Sequence, residues 1–193
     1  MSASIEIRPV AETDVKRLDV LYPEAAPESR HAQRWRLQAR GGGVYLVAWR
    51  DDEPVGWVFV HRPGSREASE RAQQLDTAEI MDLQVSERFR GQGYGSSLLM
   101  QAEQVAREAD WTSIGLEVTV SNPHNDVARA MYARHGYGDS GFGVFESGYE
   151  YWTSTGERRW DGEPHLFLVK TLSHPCACGE RGGEQSMITF PHS

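Results

Sequence analysis

The chain has 193 residues, 39% hydrophobic and 25% charged, the composition of one ordinary globular domain with a sizeable core. Twenty Lys and Arg against 28 Asp and Glu leave a formal charge of −8, which argues against a general nucleic-acid binder or a polybasic membrane-surface protein. The longest unbroken apolar run, Val44 to Trp49, is far too short to span a bilayer.

Ile5 to Arg8 alternates and predicts a first strand. The opening MSASIEIRPV lacks the charged-then-apolar pattern of a secretory signal. A helix-tolerant stretch follows over 13–21, with Val15, Leu18 and Leu21 on one face; Pro23 and Pro27 interrupt it. Glu28 to Arg40 resumes a helical pattern, which Gly41-Gly42-Gly43 ends. Val44–Trp49 and Pro54–His61 predict a hairpin turning at Asp51-Asp52. Residues 62–76 are polar and read as a long loop.

Glu79 to Val85 predicts the next strand, with Glu79, Met81, Leu83 and Val85 on one face by period two. Ser86 to Gly93 is a loop rich in Gly and Arg. Tyr94 to Ala109 is the clearest helix, because Leu98, Leu99, Ala102, Val105, Ala106 and Ala109 follow a helical period. Ile114–Val120 is a strand by alternation. Asn125–His135 is a helix carrying Ala128, Met131, Tyr132 and His135 on one face, and Gly136 stops it. Tyr149–Trp152 and His165–Leu172 predict a last hairpin, with Gly156 and Asp161-Gly162 in its turn. No internal repeat is present, and hairpins flanking a strand–helix–strand–helix core predict one α/β domain with a mixed sheet.

The informative segment is Val85-Ser-Glu-Arg-Phe-Arg-Gly-Gln-Gly-Tyr-Gly95, which leaves a strand and enters a helix. Glycines let backbone approach a ligand, and a following helix aims unpaired N–H groups at the loop, as a pyrophosphate needs. Arg88 and Arg90 add charge. The Gly-Lys-Ser/Thr of a P-loop is missing. The dinucleotide fingerprint fails because Ser96 and Leu98 stand where its third glycine would be. Taken alone, the glycines are equally compatible with a plain connecting turn.

A strand, Arg90-x-x-Gly93-x-Gly95 and an amphipathic helix together resemble the acetyl-CoA pyrophosphate loop of the GNAT acetyltransferase superfamily. Asn125-x-x-Ala128-x-x-x-Tyr132-x-x-x-Gly136-Tyr137 resembles that family's late helix. Asn122 competes for the family's asparagine, and the count of seven to Tyr132 favours Asn125. Ile7-Arg8-Pro9 with Asp14 is similar to the family's opening. The resemblance covers residues 5–172 and implies a single GNAT-like α/β domain over 1–172, with a mixed central sheet of about six to seven strands and flanking helices. Residues 173–193 have no apolar period and read as a flexible C-terminal tail.

The resemblance further implies an N-acetyltransferase that moves acetyl from acetyl-CoA to a primary amine. The alternative from another class is a catalytically inactive acetyl-CoA-binding sensor or interaction module. Backbone around Leu83 and Val85 is expected to pair with the pantetheine arm. Arg90, Gly91, Gln92, Gly93, Tyr94, Gly95 and Ser96 are expected to hold the pyrophosphate, with Asn125 and Tyr132 also against the cosubstrate. Tyr132 is the candidate general acid by its family position, although by residue type alone a core tyrosine is the favoured reading. Glu79 is ranked ahead of Glu117 as general base, Asp82 is a third option, and each is otherwise a plain strand-face carboxylate. His124 reads as a loop residue.

Phe142, Phe145, Tyr149, Tyr151, Trp152 and Trp160 either border a substrate pocket or pack a hairpin. Cys176 and Cys178, one residue apart near His174, exclude a disulfide framework and make only a weak zinc signal. No metal site is therefore expected, and a reducing cytoplasm is the simplest location. The expected partner is an amine-bearing small molecule or protein, with neither nucleic acid nor membrane; a homodimer is kept open.

Overall fold

The computed structural model describes residues 5–23, 29–121, 125–152 and 157–173. Its chain order is β1 (Ile5–Pro9), α1 (Glu12–Leu21), α2 (Arg30–Ala39), β2 (Gly43–Arg50), β3 (Glu53–His61), α3 (Glu70–Gln74), β4 (Ala78–Val85), α4 (Tyr94–Glu108), β5 (Ser113–Thr119), α5 (Asp126–Arg134), β6 (Gly138–Asp139), β7 (Phe145–Trp152) and β8 (Arg158–Thr171). The eight strands form one sheet ordered β1-β2-β3-β4-β5-β8-β6, and β7 pairs with β8. β4 and β5 are parallel and the other pairs antiparallel. This is the mixed sheet expected, with the two-residue β6 as an additional element.

The two sides of the sheet are packed differently. On one side Leu98, Leu99, Ala102 and Ala106 of α4, all fully buried, lie against Val58, Val60, Ile80, Ile114 and Leu116. α4 forms where the sequence supplies a helical apolar stripe, and burying that stripe holds it in place. On the other side Leu18 of α1 packs with Tyr45, Val47, Trp57 and Phe59, and Ala68 and Ala72 pack on Phe167. Leu21 ends α1 on the exposed side, since only Leu18 of that helix is buried. Arg8 bridges β1 to α1 through both oxygens of Asp14, at 2.7 and 3.1 Å.

Three sequence expectations are corrected. Residues 62–76 contain the short helix α3, whose N-cap Ser69 accepts the Ala72 amide. Five residues are too few to show a helical period. The last hairpin is longer than predicted: Asp161 and Gly162 lie inside β8, paired with Tyr149 and Gly148. Glycine serves close approach there, because a Cβ on Gly148 would stand 2.1 Å from the Asp161 carbonyl oxygen.

The third correction concerns β4. Trp57 pairs with Gln84 and Phe59 with Met81, so β4 carries one more residue than β3 between these pairs. That is a β-bulge, and Asp82 within it has φ of 54°. The extra residue reverses the alternation. Glu79 and Met81 face the α1/α2 side, while Leu83 and Val85 pack on the α4 side. Period two alone placed all four together.

Candidate functional site

The β4 bulge also parts β4 from β5. Their pairing is limited to Ala78–Ile114, Glu79–Gly115 and Ile80–Leu116. Beyond Ile80 the strands diverge around a cleft of about 270 Å³. Leu83 lies on its β4 side and Glu117 on its β5 side, with Asn125 and Tyr132 of the α5 segment closing it. A parallel pair that separates midway leaves backbone N–H and C=O groups on two facing edges, which an extended ligand can bridge.

The glycine loop follows directly. A single 3₁₀ turn, Glu87–Phe89, buries Phe89 and leads to Arg90. Gly91 and Gly93 take positive φ, 73° and 89°, and a Cβ on either would meet no protein atom within 4 Å. Packing therefore does not demand glycine there; the left-handed backbone does. Gly93 caps α4, and Ser97 N–H closes the first turn on Gly93 O at 3.0 Å. The amides ahead of it are those a helix N-terminus leaves without carbonyl partners. Gly95 lies within the first turn, where a Cβ would stand 3.6 Å from Met131 Sδ. Tyr94 is buried in the core, and Gln92 Nε2 returns to Arg88 O at 3.3 Å. Arg90 is exposed, and its Nε donates to Val85 O at 3.2 Å. Arg88 pairs with Glu53 and lies over the Phe89 ring.

Tyr132 is 8% exposed, edge-on to Tyr137 at 6.0 Å between ring centroids. Burial pushes its phenol up to about 12, so it remains protonated throughout the neutral range. Tyr137, read from the sequence only as the end of the late-helix motif, is buried, and burial raises its phenol too.

Glu79 is 2% exposed, and its Oε2 accepts the Ser69 amide at 2.7 Å. Burial raises its carboxyl above the ordinary carboxylate range; the Ser69 hydrogen bonds oppose this and the Glu117 charge adds to it. Glu117 points away from Leu116 and Val118, and its Oε2 accepts the Ser147 hydroxyl at 2.6 Å. Asp82 is bound by Arg34, from Nε at 3.0 Å and from Nη2. Glu79 and Glu117 line a second cavity of about 790 Å³ on the α2/β7 side of the sheet. This cavity and the cleft share Ile80, Asp82, Glu117 and His165.

The structure thus brings Leu83, Glu117, Asn125 and Tyr132 around one cleft, with Glu79 next door and the glycine loop at the end of the same strand. Val85 does not line the cleft; its carbonyl is engaged by Arg90. Sequence reading missed Ser69 and Ser147, which hold the two glutamates. Ser69 had a legible signal as an N-cap three residues before Ala72; Ser147 had none. His124, His174, Cys176 and Cys178 lie outside the described residues, as do the side chains of Tyr149, Tyr151 and Trp152. Phe145 is half-buried beneath the Arg71 guanidinium, whereas Phe142 and Trp160 are exposed. Among the described residues no three His, Cys, Asp or Glu converge on a metal position, and no helix is long and apolar enough to cross a membrane.

The sequence profile of the Acetyltransferase (GNAT) family matches residues 12–137. A curated relative, the uncharacterized N-acetyltransferase YycN of Bacillus subtilis (strain 168), is 26% identical over 110 residues, which is 57% of this chain. The chain spans 58% of that relative's length. Among solved structures, the ribosomal-protein-alanine N-acetyltransferase of Brucella melitensis superposes with a TM-score of 0.61 at 22% identity, covering 86% of this chain and 99% of that one. The ribosomal-protein-S18-alanine N-acetyltransferase of Escherichia coli gives 0.60 at 17% identity, covering 92% of this chain and all of its own. At these identities the structures speak for the fold. The profile match runs from α1 to Tyr137, across the bulge, the glycine loop and Tyr132, and the chain belongs to the acetyltransferase (GNAT) family, a family of acyltransferases.

Proposed function

We propose that the protein transfers an acetyl group from acetyl-CoA directly to a primary amine. The observation that carries this reading is the parting of β4 from β5 beyond Ile80, immediately ahead of the glycine loop. The pantetheine arm lies in the cleft as an added strand beside Leu83 and leaves it past Val85 toward the glycine loop. The pyrophosphate meets the amides of residues 90–96 at the α4 N-terminus, where the partial positive charge of the helix adds to Arg90. The open space outside Gly91 and Gly93 suits a ligand approaching backbone. Asn125 borders the arm from the α5 side.

Chemistry then divides between the two cavities. The amine must lose a proton before it attacks. A carboxylate with a raised pKa is a better base than an ordinary one, and Glu79 is the member of the pair so placed. Glu117, present in both cavities, carries the amine toward the thioester. Nitrogen bonds to the carbonyl carbon, and β4 backbone N–H groups hold the charge that gathers on oxygen. The carbon–sulfur bond breaks and the thiolate leaves facing Tyr132, while the new amide nitrogen releases its surplus proton to water; solvent returns a proton to Tyr132 once its own has passed to sulfur. A phenol near 12 is a weaker acid than an ordinary thiol near 8.5. Tyr132 therefore acts first as a hydrogen-bond donor to sulfur. The same dry surroundings raise the basicity of the thiolate and draw the proton across.

The test is amine-dependent thiol release from acetyl-CoA, together with mass spectrometry of the amine. Equal amounts of free thiol and acetylated amine are expected. Tight acetyl-CoA binding without transfer to any of a broad panel of primary amines would support the sensor reading instead.

A further inference from the structure

We infer that the acceptor is a primary amine with a second cationic group, and that Asp161 and Glu163 of β8 hold the second charge. The inference rests on the proposed acetyl transfer and concerns the cavity on the α2/β7 side of the sheet.

The site is defined by where this cavity lies, since it shares four residues with the cleft at the parting of β4 and β5. Its charge is the second observation. Seven of its lining residues are carboxylates, against one arginine and one histidine. Clustered carboxylates normally sit among lysines and arginines, because unrelieved repulsion is costly. Here the donors that fix four of them are neutral. Glu79 takes the Ser69 amide, Glu117 the Ser147 hydroxyl, and Glu163 the Thr119 hydroxyl at 2.8 Å. Glu67 takes the Ser65 hydroxyl at 3.0 Å. Neutral donors orient a carboxylate without cancelling its charge. Among the described residues, Asp82 alone of the seven forms an ion pair. The one lining arginine, Arg71, is stacked over Phe145 at 3.3 Å from the ring centroid. Glu79 is nearly sealed from solvent and has no cationic partner among the described residues, which a merely solvated acidic surface does not produce. A bound ammonium group supplies that missing charge.

The neighbourhood gives the second charge a direction. A cavity of about 820 Å³ adjoins at Glu67, Met81 and Asp82, and it is lined by Arg30, Arg34, Arg36 and Arg40. A cation extended that way meets guanidinium groups. Toward β8 it meets carboxylates. Glu163 pairs across the strands with Ser147, whose hydroxyl reaches Glu117, and Asp161 lies two residues further along the same face. Two strand residues span about 7 Å, the reach of a short alkyl spacer.

The test compares three probes of one length: 1,5-diaminopentane, 1-aminopentane and 5-aminopentanoate. Binding is read by calorimetry at low and high salt, and turnover by thiol release. The diamine should bind at least tenfold more tightly than the monoamine, with the advantage shrinking in salt. It should also have the larger kcat/KM, and the aminopentanoate should be the poorest of the three. Asp161→Asn with Glu163→Gln should bring the diamine-to-monoamine ratio toward one, mainly through KM. Equal binding of diamine and monoamine, a preference for the aminopentanoate, or a ratio unmoved by the double variant would overturn the inference. A diamine that binds tightly but is never acetylated would uphold the charge preference while refuting acetyl transfer.

Discussion

The two faces of β4 and β5 are built from alternate residues of the same short strands, yet they do opposite work. Toward α4 stand Ile80, Ile114 and Leu116, dry and closely packed. Toward α2 and β7 stand Glu79 and Glu117, with Glu79 only 2% exposed. Burial stabilises the first face through apolar area removed from water. On the second it raises the energy of a charge. A sheet can carry such a group only while the opposite face holds the strands in place. The division teaches how stability and the proposed chemistry are kept apart: helix α4 holds β4 while the bulge at Asp82 opens its far end.

That division can be broken from either side. The largest effect belongs to the apolar face. Leu98→Ala removes a fully buried side chain and should cost roughly 3 kcal/mol in denaturant unfolding, as large-to-small core changes do. Tyr132→Phe keeps the ring and its packing but removes the phenolic proton. Turnover should fall by about 10²-fold, the scale of a lost general acid, while acetyl-CoA affinity and unfolding midpoint change little. Turnover unaffected with a good amine would leave Tyr132 as a packing residue only. Gly93→Val forces a β-branched residue into a left-handed backbone. It should weaken acetyl-CoA binding at least tenfold by calorimetry, about 1.4 kcal/mol.

Two smaller effects sharpen the contrast through pH. His61 pairs with Glu79 across β3 and β4 and is 2% exposed. Burial lowers its pKa to about 4. A histidine held neutral loses its stabilising contribution as pH falls from the ordinary value toward the depressed one. Unfolding curves should therefore weaken between about pH 6.5 and 4, and less so in His61→Gln. Glu79 has the opposite sign. Its raised carboxyl stabilises the fold below the ordinary carboxylate range and loses that contribution as pH rises through the shifted value. Glu79→Gln should gain on wild type in thermal unfolding as pH increases, whereas no such gain is expected from Leu98→Ala, which removes no titrating group.

Much of this was legible in the chain. The stripe from Leu98 to Ala106 announced α4, and the glycines after Val85 announced a tight turn into it, since few other residues accept the φ of positions 91 and 93. Glu117 and Glu79 were singled out from their places in predicted strands. The bulge was not legible. Asp82 is an ordinary mid-strand residue in sequence, and its left-handed φ depends on β3 pairing with one residue fewer. The facing of Leu83 and Val85 was lost with it. Ser147 was missed, and Asp161 was placed in a turn, for a related reason. The pairing of β7 with β8 joins residues far from Glu117 in sequence, and an Asp-Gly step reads as a turn until a second glycine is seen opposite.

The central claim is that the amine is deprotonated on the carboxylate face, with Glu79 as the base. The pH dependence of kcat/KM for Glu79→Gln, measured beside Glu117→Gln with one primary amine, tests it most directly. Wild type should show an acidic limb above the ordinary carboxylate range, because burial raises the Glu79 pKa. That limb should be lost in Glu79→Gln and retained in Glu117→Gln. An acidic limb unchanged in Glu79→Gln would contradict the account, and the amine would then reach the thioester already neutral.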